Sequence, residues 1–403
     1  MPLLVTEHSK VYFGSNLDVL PTLPDNSVDS IVTDPPYELG FMGKSWDSSG
    51  IAYNVELWKE CLRVLKPGGH LLSFGGTRTW HRVAVAIEDA GFEVRDSIAW
   101  MHGSGFPKSL DVSKAIDKAA GAEREVITEI IRDLFGDREE EKETTDRRDD
   151  GTTYGLGHSG KVVSSEAITP EAQQWEGWGT ALKPAFEPIV VARKPLIGTV
   201  AANVLEHSTG ALNIDGSRIG TAQNKINTYD NRGPFGDSQE GNQYTSKTVE
   251  GRWPANVILD EYSAEILDEQ SEASRFFYCA KASKSDRNEG LEDLADGQIY
   301  PQNNSKERQE INSTANTKAK NFHPTVKPTA LMTYLVKLVT PPNGIVLDPF
   351  TGSGSTGKAA ILSGFQFVGI ELTEDYWPII KGRLDHAEAK LTEAKEKEGE
   401  ALF

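Results

Sequence analysis

The chain has 403 residues, 38% of them hydrophobic, and a formal net charge of −18, enough for a sizeable core in more than one lobe and too acidic for a uniformly basic nucleic-acid binder. Its two cysteines, Cys61 and Cys279, and eight scattered histidines exclude a disulfide scaffold and show no zinc-ligand spacing. No apolar run reaches the length of a membrane span and the N-terminus has no signal-peptide pattern, so the expectation is a soluble, cytoplasmic chain without a membrane partner.

Lys10 to Gly14 reads as a short strand and Asn16 to Leu20 as the start of a helical segment. Val28 to Thr33 is an apolar strand that delivers Thr33-Asp34-Pro35-Pro36-Tyr37. Two successive prolines end the strand in a stiff turn. The turn offers the Asp34 carboxylate, the Pro35 carbonyl and the Tyr37 ring at the strand end, where an open α/β sheet presents its ligands. Two acceptors and an aromatic face suit a flat ring carrying an exocyclic amine. A plain strand-ending turn with a capping Asp fits the same residues equally well. In the following Gly- and Ser-rich loop, Phe41, Met42 and Trp46 either stack on a ligand or fold back on the core.

Tyr53 to Leu65 has helical spacing and stops at Lys66-Pro67-Gly68-Gly69. His70 to Phe74, Thr79 to Ala90 and Phe92 to Met101 continue a strand–helix–strand rhythm. That rhythm marks a parallel sheet covered by helices. From Gly103 to about Lys183 the chain turns polar, with helical spacing over Val112 to Ala120 and again over Val126 to Phe135. The acidic run at 137–150 suits a solvated tip. Ala185 to Ala192 returns as a strand.

Lys194 to Asn321 is the least legible part. It is rich in Gly, Asn, Ser and Thr, with isolated aromatics at Tyr229, Phe235, Tyr244 and Trp253. Ala255 to Leu259 and Arg275 to Lys281 read as strands, and Lys281, Lys284 and Arg287 add local positive charge. This composition suits a loop-rich recognition surface for nucleic acid, or solvated linkers at 221–250 and 295–320. Order returns at His323-Pro324-Thr325-Val326-Lys327-Pro328, followed by an apolar helix from Thr329 to Val339.

Ile345 to Leu347 is a buried strand, and Asp348-Pro349-Phe350-Thr351-Gly352-Ser353-Gly354-Ser355-Thr356-Gly357 follows it. The Gly-x-Gly-x-x-Gly loop precedes a helix, and Glu371 ends the next strand at a distance suited to ribose hydroxyls. This fits an adenosine cofactor on a Rossmann-like sheet. Gly352 and Gly357-Lys358 nearly spell a phosphate-binding P-loop, but Ala359 replaces the Ser or Thr that pattern needs. Asp348 would also repel a triphosphate. A carboxylate and an aromatic ring beside the loop suit a cationic adenosine ligand, which S-adenosylmethionine is.

Asp34-Pro35-Pro36-Tyr37, the His323–Pro328 segment, Asp348-Pro349-Phe350-x-Gly352-Ser353-Gly354 and Glu371 together resemble the amino-group DNA methyltransferases. The order, with the catalytic motif first and the cofactor loop last, resembles their permuted β group. Asp at the first catalytic position is more typical of N6-adenine enzymes, and Ser of N4-cytosine enzymes. The one departure in the cofactor loop is Ser355, where the family often has Thr.

The resemblance implies a Rossmann-like S-adenosylmethionine-dependent methyltransferase fold: an α/β, mostly parallel, doubly wound sheet with an antiparallel hairpin and a loop-rich inserted recognition region. It divides the chain into a catalytic half (1–105), an insertion (106–183), a returning strand (184–193), a target recognition region (194–320), a cofactor-binding half (321–384) and a charged tail (385–403). It places Asp34, Pro35, Pro36 and Tyr37 at the flipped base. Asp348, Phe350, Gly352, Ser353 and Gly354 fall at the methionine end of S-adenosylmethionine, and Glu371 on its ribose. Thr325 and Lys327 come near the cofactor carboxylate, and Asp18 at the adenine edge, while His323 is structural. The implied activity is site-specific N6-adenine methylation of DNA, in a homodimer or beside a cognate restriction endonuclease. The rivals are N4-cytosine DNA or RNA amino methylation and a catalytically idle DNA-binding or antirestriction protein. Neither cysteine follows a proline, which argues against ring-carbon methylation of cytosine.

Overall fold

The computed structural model describes residues 2–40, 45–103, 109–124, 127–130, 161–164, 166–229, 244–280, 286–298 and 318–400. Phe41, Met42, the 137–150 run, Phe235, Lys281 and Lys284 lie outside them. The chain forms two compact units, residues 1–102 with 186–403, and residues 103–185.

In the larger unit the described residues build one sheet from β1 (Leu3–Val5), β2 (Ser9–Phe13), β3 (Val28–Thr33), β4 (Leu65–Phe74), β5 (Glu93–Met101), β6 (Phe186–Arg193), β7 (Val257–Asp260), β8 (Tyr278–Ala280), β9 (Ile345–Asp348) and β10 (Gln366–Glu371). The strand order is β1-β2-β10-β9-β3-β4-β6-β5-β7-β8. Only two departures break the parallel pairing: β1 runs against β2, and β6 runs against both β4 and β5. The expected mostly parallel α/β sheet with an antiparallel hairpin is present.

Strand β3 is buried at every position because both faces of the sheet are covered. On one face Ile31, Leu71 and Leu347 pack with Leu57 and Trp58 of α1 (Val55–Val64) and Val83 and Ile87 of α2 (Trp80–Asp89). On the other, Val32, Leu72 and Val346 pack with Leu331 and Leu335 of α4 (Thr329–Val339) and Ile380 and Leu384 of α6 (Trp377–Glu400). Neighbours in sequence point to opposite faces, so the two clusters share every central strand. Each fully buried Leu or Ile contributes roughly 1.5–3 kcal/mol.

Strand β6 positions the site. The chain leaves β5 at Met101 and returns at Phe186, its direct partner across the ladder. Antiparallel neighbours start and end at the same edge, so the excursion needs no crossover. The first residues of β6 therefore lie at the edge where β3, β4 and β9 end.

Three expectations are corrected. Within residues 126–135, Ile127–Ile130 is a strand paired with Lys161–Ser164, not a helix; β-branched Ile127, Thr128 and Ile130 favour it. Ala273–Phe276 is a 3-10 turn and the strand begins only at Tyr278. Asp268, near the end of α3 (Glu261–Ser271), fixes that turn by accepting from Ser274 N at 2.9 Å and Ser274 Oγ at 2.6 Å. Within 221–250 the linker reading gives way at the described residues, since Ile219–Tyr229 and Tyr244–Arg252 pair as antiparallel strands, while 230–243 lie outside the described residues.

Candidate active site

Strand β9 leads through α5 (Ser355–Leu362) to β10 on one side, while β3 leads through α1 to β4 on the other. The gap between β9 and β3 is therefore the topological switch point, the natural crevice of such a sheet. The Asp34 turn leaves one strand there and the Asp348 loop leaves the other. Thr33 Oγ1 donates to Asp348 Oδ1 at 2.6 Å and ties them together.

Asp34 sits in a buried ionic cluster. Lys327 Nζ lies 2.7 Å from Asp34 Oδ2 and 3.1 Å from Glu187 Oε2, and contacts the Tyr37 hydroxyl at 3.2 Å. The Tyr37 hydroxyl donates to Glu187 Oε2 at 2.7 Å. His102 Nε2 lies 3.8 Å from the other Glu187 oxygen. The Lys327 ammonium also stands 4.9 Å from the Phe74 ring centre and 5.4 Å from that of Tyr37. Asp34 Oδ1 is buried and has no hydrogen-bond partner among the described residues. A buried acceptor without a donor is costly, so this oxygen is poised for a donor from a ligand.

Burial raises the Asp34 pKa, Lys327 offsets this only in part, and Glu187 adds repulsion. Burial opposes ionisation of Glu187 too, but Lys327, the Tyr37 hydroxyl and His102 outweigh it and lower its pKa. Burial disfavours the Lys327 ammonium, yet the two carboxylates hold its pKa at about 12. The ring of Tyr37 is fixed from behind: Thr79 Oγ1 donates to the Tyr37 carbonyl at 2.8 Å, and a Cβ on Gly76 would lie 3.2 Å from the ring.

The glycine loop is shaped to admit a ligand. Gly352 and Gly354 have φ of +54° and +77°, which disfavour side chains, and a Cβ on Gly352 would lie 3.0 Å from His323 Nε2. His323 is buried, packs edge-on against Tyr376 at 4.5 Å, and has its pKa driven down by burial to about 3. It therefore supports the loop from below as a neutral ring. Asp348 accepts from Phe350 N at 3.0 Å, and burial pushes its pKa up to about 6. Glu371 accepts from Gly352 N and Thr373 N, both at 2.7 Å, and burial pushes its pKa up to about 7. Phe350 packs in the α1-side cluster, 6.5 Å from Trp58.

The remaining predicted residues have the following surroundings. Asp18 is exposed on a helical turn, whose Asn16 amide donates to the Pro349 carbonyl at 3.3 Å. Thr325 is exposed and bonds His323 through its backbone. The Lys327 ammonium is committed to Asp34, Tyr37 and Glu187. Pro35 is buried and Pro36 half-buried beside Asp34. Ser353 is buried, its Oγ and carbonyl accepting from Arg383.

A family of DNA methylases acting at N6 or N4 positions matches residues 28–382. The chain belongs to this family. Its cofactor is S-adenosylmethionine, and the glycine loop with Asp348, Phe350 and Glu371 fits that ligand's charge and hydroxyls. The DNA adenine methyltransferase YhdJ of Escherichia coli is 48% identical over 65 residues, 16% of this chain and 22% of that protein. The Type II methyltransferase M.HindIII of Haemophilus influenzae is 23% identical over 334 residues, 82% of this chain and 68% of that protein. The solved PvuII DNA methyltransferase (cytosine-N4-specific) superimposes with a TM-score of 0.43 at 14% identity, covering 96% of this chain and 94% of its own.

The sequence did not single out Glu187, His102, Asn16, Asp286 or Arg383. Glu187 had one signal, a lone acid beside Pro188 at the start of an otherwise apolar strand. Lys358, suspected from a P-loop, points instead into a buried network. Its ammonium pairs with Asp286 at 2.8 Å and Glu289 at 2.7 Å.

With Glu371 as a ribose ligand, cofactor affinity should depend on pH. The ionised carboxylate accepts hydroxyl donors, and protonation removes acceptor capacity. Affinity is expected to weaken below pH 7 by up to about tenfold per unit, with Asp348 adding to the loss near pH 6. Conversely, the raised pKa favours the ligand-free fold at low pH, so this contribution to stability declines as pH rises through 7. Calorimetric titration between pH 5 and 8 checks the first statement; a flat profile would remove Glu371 from the ribose.

Proposed function

We propose that the chain transfers the methyl group of S-adenosylmethionine to the N6 amino group of adenine within a specific DNA sequence. The observation that carries this is the buried Asp34 Oδ1, which has no hydrogen-bond partner among the described residues and lies at the switch point beside the glycine loop. Pro35, next in the chain, carries a second acceptor, its carbonyl, and on this reading the two acceptors take the two hydrogens of one amine.

When bound, the cofactor would supply an electrophilic sulfonium methyl: the amine lone pair would form the N–C bond as the C–S bond breaks with its electrons going to sulfur, and the surplus proton on nitrogen would pass to water. The amine is a poor nucleophile because its lone pair is delocalised into the ring. Asp34 and the Pro35 carbonyl draw it toward tetrahedral geometry and take up its developing positive charge. Tyr37 stacks on the base, offsetting part of the few kcal/mol needed to leave the duplex. Positioning supplies the rest, with no covalent enzyme intermediate.

Adenine is favoured by the acid at position 34 and by the likeness to YhdJ, which is named an adenine enzyme. DNA is the substrate partner on this reading. A Type II system of the kind M.HindIII is named for would add an endonuclease cutting the same site. The test is to express the protein in a host lacking its own DNA methylation and map modified bases in its genome. N6-methyladenine confined to one short motif is expected. N4-methylcytosine would move the same chemistry to cytosine, and an unmodified genome from cells making folded protein would overturn the proposal.

A further inference from the structure

A carboxylate that stabilises a cation should not be neutralised beforehand, yet Asp34 has an ammonium 2.7 Å away. Taken alone, Asp34 and Lys327 form a neutral pair. The developing charge on the base nitrogen would then meet a carboxylate whose field is cancelled by its own partner. Glu187 changes the balance. Its Oε2 lies 3.1 Å from the same ammonium and accepts from Tyr37 at 2.7 Å. With the neighbouring His102 neutral, two carboxylates around one ammonium leave a net charge of −1, in a pocket where burial strengthens every interaction. Lys327 is itself buried, enclosed by the Phe74 and Tyr37 rings as well as the two acids.

We infer that Glu187 keeps the catalytic cluster net negative, by sharing the Lys327 ammonium so that Asp34 retains charge for the target amine. This rests on the role of Asp34 proposed above. Glu187 acts through Lys327 and is a positioning residue. Strand β6 makes this possible, because only a reversed strand brings its second residue to the edge where Asp34 sits.

The test compares E187Q, Y37F and D34A with the unmodified enzyme, measuring kcat on methylation-free genomic DNA and S-adenosylmethionine binding. Glutamine preserves shape and can still accept from Tyr37 but removes the charge. E187Q is expected to lose about 10²-fold in kcat with cofactor affinity unchanged. Y37F, which removes only the hydroxyl link, is expected to lose roughly tenfold or less. Adding K327M to E187Q restores the negative cluster and should recover about tenfold over E187Q, with the recovery growing as pH rises because burial raises the Asp34 pKa. An E187Q loss no greater than that of Y37F, or no recovery in the double variant, overturns the inference. If E187Q melts too early to assay, E187D should keep at least about a third of the wild-type rate, and a lower rate counts equally against it. A D34A enzyme with normal turnover would instead overturn the underlying reading and leave the charge argument without an object.

Discussion

Replacing Asp34 with alanine is expected to cut methyl transfer by about 10²–10³-fold while S-adenosylmethionine binding stays within about threefold of the unmodified protein. The two effects separate because Asp34 leaves β3 whereas the cofactor loop leaves β9, and the link between them runs through Thr33 and Asp348, not through Asp34. The substitution removes at once the buried oxygen that has no donor among the described residues and the partner of Lys327. Lys327 remains paired with Glu187 at 3.1 Å, so the ammonium is not stranded and the variant should fold. Asparagine at position 34 keeps one acceptor without the charge and should fall between the two. Single-turnover rates alongside calorimetric cofactor titration make the comparison. Parallel losses of binding and rate would mean that Asp34 holds the cofactor rather than the amine.

The largest stability effect is expected at Lys358. Lys358→Met should cost about 3–5 kcal/mol, the usual penalty for removing one member of a buried ion pair. Its side chain is enclosed, and among the described residues its ammonium is the cation nearest to both Asp286 and Glu289. Arg383 stands 3.8 Å from Asp286, too far to replace a bond at 2.8 Å. The consequence reaches the site, because Asp286 joins three elements. It accepts from Thr329 N at 2.6 Å and so caps α4, whose preceding Pro328 has no capping side chain. It also takes up the Thr329 hydroxyl. Arg383, beside it, donates to the Ser353 carbonyl at 2.9 Å and to the Ser355 hydroxyl at 3.0 Å, fixing the glycine loop. Urea unfolding should therefore show the loss, and cofactor affinity should weaken with it. Lys358→Met combined with Glu289→Gln should recover part of the stability, since one stranded charge is gone. A cost below about 1 kcal/mol would mean that water already solvates these acids.

The parts of the site that were legible in the sequence are those written in contiguous residues. Asp34 to Tyr37 and Asp348 to Gly357 each combine a strand end with a turn marked by its own residues, two prolines that stop the strand in one and glycines at positive φ in the other, so the local chemistry states itself. Their adjacency follows from the alternation of strands and helices. Glu187 was not legible because its importance depends on strand direction. Had β6 run parallel to β4, the same residue would lie at the opposite edge. The resemblance set Lys327 near the cofactor carboxylate through the His323–Pro328 segment, and it could not show that the Lys327 charge also meets two acids about 290 and 140 residues away in sequence. Asp286 and Arg383 are surface-type residues whose burial arises only when the turn at 286–290 packs on α5 and α6. The hairpin of Ile219–Tyr229 and Tyr244–Arg252 escaped notice because its polar strands lack an apolar alternation.

The acidic total of the chain needs no basic counterpart at the reacting centre, since the amine acquires positive charge there. The measurement that tests the account most directly is transfer of a deuterated methyl group from S-adenosylmethionine to unmethylated genomic DNA by the purified protein. The DNA is then digested to nucleosides and examined by mass spectrometry. The account predicts trideuterated N6-methyladenine with the unmodified protein and none above background with Asp34→Ala. A label absent from every nucleoside despite measurable cofactor binding, or present equally with Asp34→Ala, would contradict it.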